Sequence, residues 1–140
     1  MTVEDLLGYD NIIFGGWLKA GNIRGLKKIK NNIDKFKDKN IVLFCVGLSN
    51  EDERLHEEVN KSNFKGMEES KYFYLRGAFN YENLASFDKM LMRIFKLILN
   101  KINKDEMEEN ARETLNAFDN PVDFTKKENI KPIIEYINKI

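Results

Sequence analysis

The chain has 140 residues, 42% hydrophobic and 33% charged, with 23 Lys and Arg balancing 23 Asp and Glu. A chain of this size makes one globular domain, expected over residues 1–140, and buries about 70% of its unfolded surface. Its zero net charge removes the electrostatic case for nucleic acid or an acidic membrane as main partner.

The N-terminus Met1-Thr2-Val3-Glu4-Asp5 is acidic and lacks the apolar run of a secretory signal. Cys45 is the only cysteine, so no internal disulfide can form, which suits a reducing compartment. The expected location is the cytoplasm.

Asn11–Phe14 is a short apolar run ended by Gly15-Gly16, which predicts a strand buried on both faces. Residues 15–25 follow as a glycine loop. From Ile23 to Phe36 the apolar residues Ile23, Leu26, Ile29, Ile33 and Phe36 fall near one helical stripe, with lysines over the rest. Ile41–Val46 is a continuous apolar run and predicts a second buried, parallel strand. Strand, helix and strand together make a right-handed βαβ unit.

Glu51–Asn60 predicts a charged helix capped by Ser49 or Asn50. Lys71–Phe79 is aromatic-rich and predicts a third strand, with Gly77 at its end or bend. Leu84–Ile102 is the longest predicted helix, with Leu84, Phe87, Leu91, Ile94, Phe95, Ile98 and Ile102 in its stripe. Either the stripe covers the sheet, or it meets a membrane surface or partner, to which Lys89, Arg93, Lys96 and Lys101 would be suited. Glu106–Phe118 is a more polar helix, broken at Asp119-Asn120-Pro121. The last helix, Ile130–Ile140, has two possible starts. Thr125 with Glu128 makes a capping box, whereas a cap at Asn129 places Pro132 in the first turn, the favoured arrangement.

The glycine loop is the first candidate site. Ligands of open parallel sheets rest at the carboxyl ends of the strands. Gly15 and Gly16 allow close backbone approach there, and Trp17 can stack on a flat ring. The same residues also suit a tight turn with Trp17 packed on the following helix. His56, alone on a charged helix, reads as an exposed residue, and Cys45 as an inert buried thiol.

The run from Tyr9-Asp10 through Gly15-Gly16-Trp17 to Ile23-Arg24-Gly25 resembles flavodoxin-like domains. Within them it is similar to the group of menaquinone-dependent protoporphyrinogen dehydrogenases. Val46-Gly47-Leu48-Ser49, the strand Tyr72–Phe79, Phe87–Met92 and Asn120-Pro121-Val122-Asp123-Phe124 extend the likeness over essentially the whole chain. The resemblance implies an α/β, flavodoxin-like three-layer sandwich with a parallel sheet, and FMN as cofactor. It also implies which residues clasp the flavin ring: Gly15 and Gly16, then Trp17, Leu18, Lys19, Ala20 and Gly21, and after the next strand Gly47, Leu48 and Ser49.

On this resemblance the chain joins the family's pattern at the third strand, since only Met1–Gly8 precede Tyr9. The expectation is an N-terminally truncated domain without the first strand and its phosphate-binding loop. Asn11–Phe14 then stands at an open sheet edge, which invites a second copy or a separate chain supplying the missing strands. Two functions follow: an FMN-associated redox protein with a redox partner, or a fold-retaining assembly subunit that binds no flavin alone.

Overall fold

Thr2 starts the first helix, α1 (Val3–Leu6), by a reciprocal cap. Its hydroxyl accepts from the Asp5 N–H at 3.2 Å, and its own N–H donates to the Asp5 carboxylate at 2.6 Å. The structure, a computed structural model, describes residues 2–67, 70–103 and 105–140. The chain divides into two compact units. One comprises Met1–Gly47, Glu51–Arg76 and Lys126–Ile140, and the other Leu48–Asn50 and Gly77–Thr125.

The first unit is built on a sheet. Strand β1 (Asn11–Lys19) continues five residues past the predicted end at Phe14. Gly15 and Gly16 lie inside it rather than after it. A tight turn at Ala20-Gly21 leads into β2 (Asn22–Ile23), which pairs antiparallel to β1 only at Leu18 and Lys19. The expected loop is therefore a β-hairpin.

Gly25, at φ +86°, turns the chain into α2 (Leu26–Lys30), and a 3-10 turn follows at Ile33–Phe36. The single helix predicted over Ile23–Phe36 is thus broken. Its apolar spacing holds, but Asn31-Asn32 interrupts it. Asn side chains compete for the helix backbone, and here the Asn32 amide donates to the Lys28 carbonyl at 3.0 Å.

Strand β3 (Asn40–Gly47) runs parallel to β1, with Asn11 opposite Asn40 and Trp17 opposite Val46. Next comes α3 (Glu53–Asn63), whose cap is Asp52, not Ser49 or Asn50. The Asp52 carboxylate accepts from the Leu55 N–H at 2.7 Å. Strand β4 (Lys71–Arg76) completes the order β2-β1-β3-β4, parallel to β3. It stops just before Gly77, three residues short of the expected end at Phe79.

Side chains alternate across a strand. One face of the sheet carries Ile12, Leu43, Cys45 and Tyr74, which form a buried cluster with Leu26, Ile29, Phe36, Val59 and Phe64. Phe73 points to the other face. There its ring meets Tyr136 edge-on at 5.8 Å. In the chain's last helix, which spans Lys131–Ile137, Pro132 sits in the first turn as favoured. The position before that helix is Ile130, however, and a 3-10 turn at Lys127–Ile130 replaces the expected cap at Asn129.

The second unit contains a short pair, β5 (Ala78–Phe79) with β6 (Val122–Asp123). Its helices are α4 (Ser86–Leu99) and α5 (Glu109–Asp119). Phe118 on α5 packs against Phe79 and Tyr81. Lys96 on α4 pairs with Asp119 at 3.0 Å. The predicted stripe of α4 does not pack as core. Phe87, Leu91, Ile94, Phe95 and Ile98 are exposed, and Leu99 alone in that helix is buried. The last helix of the first unit is α6 (Lys131–Ile137). Among the described residues, no helix is long and apolar enough to cross a membrane.

Candidate functional site

The carboxyl ends of three parallel strands lie side by side in the first unit. Trp17 is in register with Val46, and Gly47 with Arg76. Trp17 ends the part of β1 that pairs with β3 and is 60% exposed. It does not pack away on the following helix, so one broad aromatic surface stands at this edge.

Its backbone is held firmly. Ala20 and Gly21 take positive φ values of 49° and 75°, reversing the chain in two residues. Such φ pairs match the twist of a β-hairpin. Asn63, the buried polar residue at the end of α3, ties the hairpin down. Its carbonyl oxygen accepts from the Ile23 N–H at 2.8 Å. Its amide donates to the Gly21 and Val59 carbonyls, each at 2.8 Å. Sequence reading passed over Asn63. Its only signal was a polar residue on the inward side of α3, where an unpaired amide would be costly.

The glycines have another role than the one expected. A Cβ on Gly15 would overlap the tip of the Phe44 ring. A Cβ on Gly16 would lie 2.6 Å from the Arg24 carbonyl oxygen, and one on Gly47 2.5 Å from the Tyr74 hydroxyl. The missing side chains make room for protein, not for a ligand cradle. Leu18 packs toward the core, and Lys19 is half-buried. Leu48 and Ser49 belong to the second unit. Leu48 lines a small cavity there with Glu113, Asn116, Val122 and Phe124.

A second cluster lies between α3 and β4. The Tyr72 hydroxyl bonds His56 Nδ1, and Nε2 lies 3.0 Å from the Glu51 carboxylate. A carboxylate only accepts, so Nε2–H donates to Glu51. His56 is therefore engaged at both nitrogens rather than simply exposed. Burial pushes Tyr72 up to about 12 and raises Tyr74 as well. It also pushes the Cys45 thiol up to about 12, which leaves that sulfur unreactive at neutral pH. Among the described residues, no group of three acidic, His or Cys side chains is arranged to hold a metal.

The family comparison matches the Flavodoxin domain over residues 1–110. The chain belongs to the flavodoxin domain family. No curated protein matches the chain, and no solved structure does. The fold agrees with the family assignment: an α/β, flavodoxin-like arrangement with a mostly parallel sheet of four strands flanked by helices. For a flavodoxin-family chain the implied cofactor is FMN. The carboxyl edge fits its flat ring through the exposed Trp17, whereas the filled spaces at Gly15, Gly16 and Gly47 add no cradle.

Proposed function

We propose that the chain is an FMN-associated redox protein whose carboxyl edge receives the flavin ring at Trp17. The observation that supports this is an indole 60% exposed, on a hairpin anchored by Asn63, beside the ends of β3 and β4. When bound, the flavin supplies the electron-transfer chemistry. The chain's own part is to stack on one face of the ring through Trp17 and to fix its position. Backbone groups near Gly16, from Leu18 to Gly21, and at Gly47 are the proposed polar contacts. The pattern from Gly15 to Gly25 favours the menaquinone-dependent protoporphyrinogen dehydrogenase group within the family. Cys45, single and buried as a free thiol, favours the cytoplasm.

The test is FMN titration of the purified protein, followed by flavin and Trp17 fluorescence. Trp17 is the only tryptophan, so its quenching reports this edge alone. Saturable quenching, weakened in Trp17→Ala, supports the reading. No saturation overturns it.

One observation favours a second reading, a fold-retaining assembly subunit that binds no flavin alone. The glycine spaces at the edge are taken by Phe44, the Arg24 carbonyl and Tyr74. A protein that stays colourless with excess FMN, yet gives a full cooperative unfolding transition, supports this alternative.

A further inference from the structure

The outer edge of β1 is open over most of its length. The Asn40 N–H donates to the Asp10 carbonyl at 2.9 Å, so Asp10 faces β3. Backbone direction alternates along a strand, so Ile12, Phe14 and Gly16 also face β3. Asn11, Ile13, Gly15 and Trp17 then turn their N–H and C=O groups the other way. The far side confirms this alternation: the Trp17 carbonyl accepts from the Arg24 N–H at 3.0 Å. Strand β2 covers that side at Leu18 and Lys19, and Arg24 covers it at Trp17. Among the described residues, no backbone pairs with Asn11, Ile13 or Gly15 on this edge.

Such an edge accepts another strand. Natural edge strands are usually guarded by Lys, Pro or a bulge. The stretch Asn11–Leu18 contains no Pro and no charged residue.

This edge is also self-complementary about Ile13. Asn11 and Gly15 lie two residues to either side. Ile13 itself is 51% exposed. A two-fold contact needs a patch that matches itself.

We infer that β1 pairs antiparallel with β1 of a second copy of this chain, with Ile13 on the two-fold axis. Ile13 then lies opposite Ile13 of the second copy, and Asn11 opposite its Gly15. These positions make about six main-chain hydrogen bonds. The paired stretch ends at Gly15, because Arg24 already occupies the edge at Trp17. No charged residue of one copy meets a like charge directly opposite, an arrangement that would oppose pairing. Asp10 falls opposite Gly16, and its carboxylate lies 3.5 Å from Lys39 of its own chain.

The test uses the full chain without flavin, so its failure leaves the flavin reading untouched. Sedimentation equilibrium at micromolar concentration should give twice the 16.5 kDa of one chain. Among the described residues the Ile13 N–H has no backbone partner, so Ile13→Pro blocks the edge while sparing the β1–β3 ladder. This variant should sediment at half the parent mass. Register is read by cysteine pairing. Opposed residues of such a pair lie about 5.5 Å apart at Cα, within disulfide reach. Mild oxidation should therefore link Ile13→Cys to itself and leave Asn11→Cys unlinked. A monomeric parent overturns the proposal, as does equal linking of both cysteine variants. Should Ile13→Pro fail to fold by circular dichroism, the cysteine pair decides alone.

Discussion

The ring of Phe44 occupies the space that a side chain on Gly15 would need. The two residues are paired across β1 and β3, so glycine here is a packing choice rather than a turn signal. The obstacle at Gly16 is backbone, the Arg24 carbonyl. A ring can swing aside, whereas a carbonyl in a hairpin moves only with its strand. Gly15→Ala should therefore cost about 1 kcal/mol and Gly16→Ala about 3 kcal/mol, the two ends of the overpacking range. Urea midpoints at unchanged slope measure both. Equal costs would contradict this account.

Asn63→Leu removes three hydrogen bonds at once, leaving the Ile23 N–H and the Gly21 carbonyl without their partner. Each orphaned buried group costs about 1–3 kcal/mol. The expected loss is roughly 2–5 kcal/mol in unfolding free energy. A red shift of Trp17 emission should accompany it as the hairpin loosens. Asn63→Asp keeps the acceptor for Ile23 and should recover part of the loss.

Trp17→Ala separates stability from ligand contact. The side chain is largely exposed, so stability should change by no more than about 0.5 kcal/mol. Loss of an aromatic stack of about 0.5–1.5 kcal/mol should weaken FMN binding roughly 2- to 13-fold. A large loss of stability with unchanged affinity would identify Trp17 as a packing residue instead.

Stability should fall at alkaline pH. Cys45 is raised from 9.0 to about 12 and Tyr72 from 10.0 to about 12, each first by burial. Both groups stay neutral in the folded chain while the unfolded chain begins to ionise. The unfolded state then binds fewer protons, so stability drops as pH rises. The contribution is complete below pH 9 and is lost between there and about pH 12. Thermal midpoints of Cys45→Ala should decline less steeply than the parent's over that window.

The parallel ladder was legible because Ile41–Val46 is a long apolar run and Lys71–Arg76 ends at a glycine. Those signals need no tertiary information. The hairpin was not legible, since Gly15-Gly16 inside a strand reads as a strand end unless the Phe44 ring is known to lie over it. The cap at Asp52 was missed because three neighbouring polar residues compete for that role, and only the Leu55 hydrogen bond decides. In the candidate site, Trp17 was singled out by residue type. Asn63 was not, because its partners lie about forty residues away in the chain. The α4 stripe was correctly periodic, but periodicity does not say what a face meets.

The strand order has a consequence for how the molecule is made. Along the main ladder, β1, β3 and β4 are neighbours in space in the order in which they are synthesised, and β2 folds back on the strand just before it. As the ribosome releases the chain, each new strand finds its partner already outside the exit tunnel. Such stepwise growth keeps loop closures short, so the sheet can assemble from its first strand outward while the rest of the chain is still being translated.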